Sequence, residues 1–207
     1  MLERDKLATY CSELLAVLAQ QDYCPNGLQV AGKDEIKKIV SGVTASQALS
    51  DAAAAAGADA LLVHHGYFWK GEDPCLVGQK YRRIAALIAA DINLYAYHLP
   101  LDVHSELGNN AQLARKMGFD YGRAIGPARN PELVRCAQLP QPTTINAFSR
   151  HVGDTLNREP LLIYGHDRPL TTVAWCTGAA QDYIDLAAAA GADVYISGEV
   201  SERTFHA

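Results

Sequence analysis

Apolar positions along the chain switch between two spacings. Leu7, Tyr10, Cys11, Leu14, Leu15 and Leu18 recur at helical intervals and predict an amphipathic opening helix, stopped by the turn signal Pro25-Asn26-Gly27. Residues 39–43 read as a short strand. Ser46 is placed to cap a helix that runs through the alanines to Gly57, a glycine suited to the C′ position. The run Ala60-Leu61-Leu62-Val63 predicts a buried strand ending at His64, and residues 77–90 predict another helix. Leu94-Tyr95-Ala96-Tyr97 predicts a strand ending at His98, and residues 109–117 a helix closed by Gly118. Strands alternating with helices imply an α/β fold with parallel-rich sheets.

From about residue 121 to 164 the pattern changes. Prolines cluster at 127, 131, 140, 142 and 160; residues 133–139 read as an edge strand and 144–156 as a helix. The domain plan is therefore an N-terminal α/β lobe at 1–120, an inserted α+β region at 121–164, and the start of an incomplete C-terminal lobe at 165–207. A weak internal repeat supports two similar βαβ-type lobes. Ala56-Gly57-Ala58-Asp59 precedes the strand leading to His64-His65-Gly66, and Ala190-Gly191-Ala192-Asp193 precedes Val194-Tyr195-Ile196 and Ser197-Gly198-Glu199. Val43-Thr44-Ala45-Ser46 loosely matches Cys176-Thr177-Gly178-Ala179, and Glu199 would stand where His65 does. The competing explanation is that Ala-Gly-Ala-Asp is a common helix-to-strand connection. Ser201 to Ala207 looks like the first turns of a further helix whose apolar residues, such as Phe205, need a covering surface, so the natural chain is expected to continue.

Composition narrows the function classes. Of 207 residues, 49% are hydrophobic, enough for a sizeable core, and the net charge of −5 argues against a dedicated nucleic-acid surface. Five scattered cysteines without a CxxC give neither a disulfide framework nor a zinc ribbon; mostly buried, reduced thiols in the cytoplasm are expected. No apolar segment approaches the ~20 residues of a membrane span. Walker A, GxGxxG and GxSxG motifs are absent.

The chemistry gathers at the C-terminal ends of two predicted strands, the edge where parallel α/β sheets build sites. His64, His65, His98 and Asp102 all fall there, and imidazole with carboxylate suits Zn, Mn or non-haem Fe. Successive strand side chains point to opposite faces, so adjacent His64 and His65 more naturally serve two neighbouring ions, or one ion and one supporting role. A lone His-His pair is better explained by one core and one surface histidine; the nearby His98 and Asp102 shift the balance to metal. His98 could be a ligand, a general acid/base or an orienting group. Pro100 places Asp102 in a loop, as a carboxylate ligand or a turn residue, and His104 is expected to face solvent. Tyr67-Phe68-Trp69-Lys70 could form a stacking wall for a planar base, with Lys70 toward phosphate, or a packed loop or subunit interface.

Several of these segments together resemble one family: residues 23–30 (YCPNGLQV), 42–46 (GVTAS), 63–71 (VHHGYFWKG), 97–102 (YHLPLD) and 107–110 (LGNN) are similar to the GTP cyclohydrolase I type 2 homologs, also called NIF-three-like or YbgI-like dinuclear-metal-centre proteins. The resemblance runs over essentially the whole chain. It implies a two-lobed NIF-three-like α/β subunit, a homohexameric ring, and two divalent metal ions per subunit (Zn, Fe or Mn). It implies His64, His65 and Asp102 as ligands but not clearly His98, which is therefore placed beside the site as the proton-shuttling catalytic residue of a hydrolase. The family's remaining ligands lie on a C-terminal H-x-x-x-E segment that this sequence does not reach. The implied activity is hydrolysis of GTP or a related, damaged nucleotide. Alternatives are a non-catalytic metal-binding scaffold or metal handler, and a metal-dependent peptidase or amidase.

Overall fold

The predicted alternation of strands and helices is present in the computed structural model, which describes residues 1–206. The chain divides into two units, residues 1–101 and the residues from 102 onward.

In the first unit, β1 (Leu2–Glu3) leads into α1 (Arg4–Leu14), followed by β2 (Gly27–Val30), β3 (Glu35–Ile36), β4 (Ile39–Thr44), α2 (Gln47–Ala55), β5 (Ala60–His65), α3 (Gly78–Ala89) and β6 (Asn93–Ala96). The capping signals act as read. Ser46 Oγ accepts from the Leu49 N–H at 3.2 Å, and Gly57 takes φ 64° just past the helix end. The main sheet has the order β2-β6-β5-β4; β4, β5 and β6 are parallel and β2 is an antiparallel edge. Both faces are covered, which explains the near-continuous apolar runs of β5 and β6. Leu61, Val63, Leu94 and Ala96 pack into one core with Ala53, Ile84 and Leu87 of α2 and α3. Ala60, Tyr95 and Tyr97 face the other way, against Leu15, Ile36 and the partly buried Leu7 and Cys11 beside α1. Asn93 stitches the sheet end internally: fully buried, it accepts from the Gly32 N–H and donates to the Lys33 and Asp59 carbonyls at 2.8–3.1 Å.

The chain passes into the second unit within α4 (Leu99–Val103) and continues through α5 (Asn109–Met117), β7 (Arg123–Ala124), β8 (Arg135–Thr143), α6 (Ile145–Leu156), β9 (Leu170–Cys176), α7 (Ile184–Ala189), β10 (Val194–Ser197) and α8 (Glu202–Phe205). Gly118 (φ 73°) closes α5, and Thr144 caps α6 by accepting from Ala147 N–H. The sheet order is β10-β9-β8-β7; only β10 and β9 are parallel. The strand expected at an edge, β8, instead lies between β9 and β7. Its two prolines are accommodated because β7 pairs only at Arg135 and Cys136, and the β9 register slips after Gln138, before Pro140 and Pro142. The expected final helix is present as α8; Ala207 lies outside the described residues.

The repeat has a structural basis. Asp59 accepts the Lys37 and Lys38 N–H groups, both at 3.0 Å, and its own N–H donates to the Lys38 carbonyl. Asp193 likewise accepts the Thr171 and Thr172 N–H groups at 2.9 and 3.1 Å, while its N–H donates to the Thr172 carbonyl. Each aspartate thus clasps the start of the neighbouring parallel strand. The preceding helix ends are alike too. Gly57 and Gly191 both have positive φ, and Ala58 and Ala192 donate back to Ala53 and Ala187. Ala-Gly-Ala-Asp is therefore a connection and also a register lock, used once in each unit. On this spacing Glu199 does correspond to His65, but β10 ends at Ser197, two residues before it.

Candidate metal centre

The parallel pairing of β5 with β6 ends in register at Val63 and Ala96, with Tyr97 N–H still donating to the Val63 carbonyl. His64 and His65 are the last two residues of β5, still paired with β4 as far as Thr44 and His65, and His98 follows just past the end of β6. The His64 and His65 rings come within 4.5 Å centroid to centroid, and His98 lies 5.0 and 5.6 Å from them. One ring nitrogen of each lies within 4.8 Å of one nitrogen of the other two, the arrangement a single small cation needs. The expected opposition of adjacent histidines is not seen: the two rings meet at the end of β5. His98 stands inside the cluster, with a ligand nitrogen to offer.

Each imidazole is held at Nδ1 by a different partner. His64 Nδ1 meets the Tyr97 carbonyl at 2.9 Å, His65 Nδ1 meets Thr44 Oγ1 at 3.1 Å, and His98 Nδ1 meets Asp22 Oδ1 at 3.0 Å. A carbonyl or carboxylate accepts only, so His64 and His98 donate from Nδ1 and carry the lone pair on Nε2. Such outer partners fix the tautomer and ring orientation of metal-binding histidines. The donor set thus fits a divalent transition ion.

Asp22 is the residue that sequence reasoning missed. Its carboxylate is 4% exposed and accepts from His98, from the Tyr23 and Leu99 N–H groups, from Asn26 Nδ2 and from Cys24 Sγ. Burial alone would raise its pKa, but the hydrogen bonds from His98, Asn26 and Leu99 outweigh burial and hold it well below the usual carboxylate range. Asn26, read only as a turn residue, accepts the His98 N–H at 2.7 Å and so helps hold the same strand end. Asp22, Cys24 and His98 also approach one another closely, but this second group does not suit a cation. The Asp22 oxygens already serve five donors, and burial, with the Asp22 charge second, pushes the Cys24 thiol up to about 12. The available signal was the spacing Asp22-x-x-x-Asn26 across a Pro-containing turn, a polar pattern too common to single out.

The other expected residues divide. Asp102 is the first residue of the second unit and lies in α4, not in a loop, because Pro100 fits the first turn of a helix. Its buried carboxylate accepts from Asn109 Nδ2 at 2.7 Å and Thr177 Oγ1 at 3.4 Å. His104, expected in solvent, is half-buried and accepts the Glu106 and Leu107 N–H groups, bracing a turn. The aromatic run does not form one wall. Tyr67 is buried in the core, Phe68 packs under Lys80 Nζ at 5.2 Å, and only Trp69 turns to the histidines.

With that geometry established, comparison with known proteins is decisive. Residues 2–207 match the family described as Duf34/NIF3 (NGG1p interacting factor 3). The chain belongs to this family. Among family members, a GTP cyclohydrolase 1 type 2 homolog of Pseudomonas aeruginosa is 58% identical over 186 residues, 90% of this chain and 73% of that protein. The Escherichia coli K12 homolog is 49% identical, covering 99% and 81%. The solved structure of protein ybgI, of unknown function, superposes with a TM-score of 0.93 at 48% identity over 99% of this chain and 81% of that one. A solved structure from Thermus thermophilus gives 0.84 at 33% identity, with 99% and 81% covered. The NIF-three-like α/β fold read from the sequence is thus borne out. No helix among the described residues is long and apolar enough to cross a membrane.

Proposed function

We propose that the protein is a divalent-metal-binding hydrolase acting on GTP or a related, damaged nucleotide. The observation that carries this reading is the convergence of His64, His65 and His98, each anchored through Nδ1. His64 and His65 hold metal. Asp102 enters the proposed ligand set from the sequence alone, through the motif that follows His98. A divalent ion supplies Lewis acidity and a water-derived nucleophile at neutral pH when bound. His98, with Nδ1–H directed at Asp22, takes up and returns a proton at Nε2, and the carboxylate stabilises the imidazolium. The nucleotide part of the proposal is supported by the printed names of the relatives. A dinuclear centre is the form proposed, as the family resemblance implies.

A homohexameric ring belongs to the same reading. Tyr10, Leu14, Leu18, Val77, Tyr81 and Ile88 are exposed apolar residues of the first unit that a subunit interface would cover. The free cysteines are in keeping with a reducing, cytoplasmic setting.

The test is metal analysis with calorimetric titration of Zn²⁺ and Mn²⁺, followed by a screen of nucleotides and peptide amides on the loaded protein. Uptake is expected, weakened at least about tenfold in His64→Ala and His65→Ala and reduced in stoichiometry in Asp102→Asn. No uptake by the wild type, or unchanged uptake in both histidine variants, refutes the metal assignment. Tight binding without turnover of any nucleotide refutes the hydrolase and assigns a scaffold or metal-handling role; turnover of the amides alone assigns a peptidase.

A further inference from the structure

Beside the histidine cluster two aromatic side chains are held in a fixed arrangement that the metal-binding geometry does not require. Trp69 stands edge-on to His98, with centroids 5.1 Å apart and ring planes at 87°, and lies 6.0 Å from His65. Tyr23 also meets His98 edge-on at 5.1 Å and is 5.7 Å from Trp69, with their planes 36° apart. Tyr23 is 51% exposed and Trp69 is half-buried, although large aromatics are normally placed where water is excluded.

The two loops that carry them are braced to each other. The Lys70 N–H donates to the Tyr23 carbonyl at 2.7 Å. Gln29 spans both: its Oε1 accepts the Tyr67 N–H at 2.7 Å, and its Nε2 donates to the carbonyls of Pro25 and Tyr67. Glu72 accepts the Trp69 N–H at 3.2 Å and pairs with Lys80, which also donates to the Asp73 carbonyl. Between these braces Phe68 adopts φ 66°, a left-handed conformation that is strained for a bulky residue and that turns Trp69 away from the preceding aromatics. Strain held by this many bonds, at the rim of a histidine cluster, fixes one orientation of one indole.

We infer that Tyr23 and Trp69 form a stacking platform that presents a planar heteroaromatic ring of purine type to the histidine cluster. This rests on the function proposed above and assigns the base-binding part of the same site. At 5.7 Å the two rings are already in direct contact, so the ligand ring stacks on their outer face and does not enter between them. Stacking recognises any flat π-face and leaves identity to edge contacts. Lys70, exposed on the same loop, supplies a cation for the phosphate of a nucleotide.

The probes are guanosine, GMP, ribose 5-phosphate and inorganic phosphate, titrated into the zinc-loaded full chain. Tryptophan emission reports Trp69, because Trp175 is fully buried and gives a constant background. Guanosine and GMP are expected to quench this emission, and ribose 5-phosphate and phosphate are not. By equilibrium dialysis, Trp69→Leu should weaken guanosine at least about tenfold, while Trp69→Phe, which keeps a ring, should stay within about threefold. Unchanged guanosine binding in Trp69→Leu, or binding of ribose 5-phosphate as tight as GMP, overturns the platform. Zinc affinity is measured on the same three proteins without nucleotide. Normal zinc uptake with no guanosine binding defeats the platform alone, and guanosine binding without zinc uptake defeats the metal reading alone.

Discussion

Replacement of Asp22 by alanine should be among the most destabilising single changes in the first unit. The wild-type carboxylate is 4% exposed and ends five hydrogen bonds. Three donors, at Tyr23, Cys24 and Asn26, sit in a partly exposed turn and can find water. The other two, the Leu99 N–H at 2.9 Å and His98 Nδ1 at 3.0 Å, belong to residues that are 8% and 6% exposed. Hydrogen bonds to a charged acceptor contribute about 1.5–3 kcal/mol each, and an orphaned buried donor costs about 1–3 kcal/mol. Two such losses give about 3–5 kcal/mol for Asp22→Ala. Asp22→Asn keeps one acceptor oxygen but turns an NH₂ toward Leu99 and Asn26 or toward His98, for about 2 kcal/mol. The assay is urea unfolding at neutral pH, read by hydrogen exchange of peptides from residues 1–101 so that the second unit does not mask the change. With a urea slope of about 2 kcal/mol/M, Asp22→Ala should lower the midpoint of those peptides by roughly 2 M. Turnover by the loaded protein should fall about 10–100-fold in Asp22→Asn, because the His98 ring loses its fixed tautomer. A shift under about 0.5 M for the alanine variant would show that the turn relaxes and solvates both donors, and would refute the account of Asp22 as the anchor of the site.

Other changes follow from the same bonds. Lys33 first, then the Lys37 and Lys38 N–H groups, lower the Asp59 pKa from 3.8 to about 2, so its stabilisation is complete above 3.8 and is lost as pH falls toward about 2. Acid titration of stability should therefore be flatter over that range in Asp59→Asn than in the wild type, and equal slopes would contradict the clasp. Gly66→Ala places a Cβ 2.2 Å from Gln29 Oε1 and 2.6 Å from Ala96 Cβ, and should cost about 1–3 kcal/mol in denaturant titration. Asn93→Leu leaves the Gly32 N–H and the Lys33 and Asp59 carbonyls without their buried partner, and thermal unfolding should show a loss of about 3 kcal/mol or more.

What the sequence disclosed, and what it hid, divides along a physical line. Elements set by local rules were legible: Ser46 as a cap, Gly57 and Gly118 as helix ends, and β5 and β6 as uninterrupted apolar runs. The histidine cluster was legible because a strand end is a fixed place in an α/β sheet. Features set by distant pairing were not. The position of β8 inside its sheet depends on where two short neighbours stop, and Asp22 reaches His98 across most of the first unit. The Tyr67-Phe68-Trp69 run reads equally as a wall or a packed loop, because three consecutive side chains carry no sign of the left-handed turn at Phe68 that separates them.

The paired clasps of Asp59 and Asp193 bear on how such a fold can change. Both aspartates act where parallel strands begin, and the imidazoles lie where β5 finishes. Register is set at one edge of the sheet and reactivity at the other. In the second unit the clasp is kept while the corresponding strand runs into Ser197-Gly198, with no imidazole. A scaffold with the same clasp in each unit can thus carry or lack a histidine-bearing strand end through two or three residues, without changing how its strands align. Locking and chemistry are separable properties of the same segment.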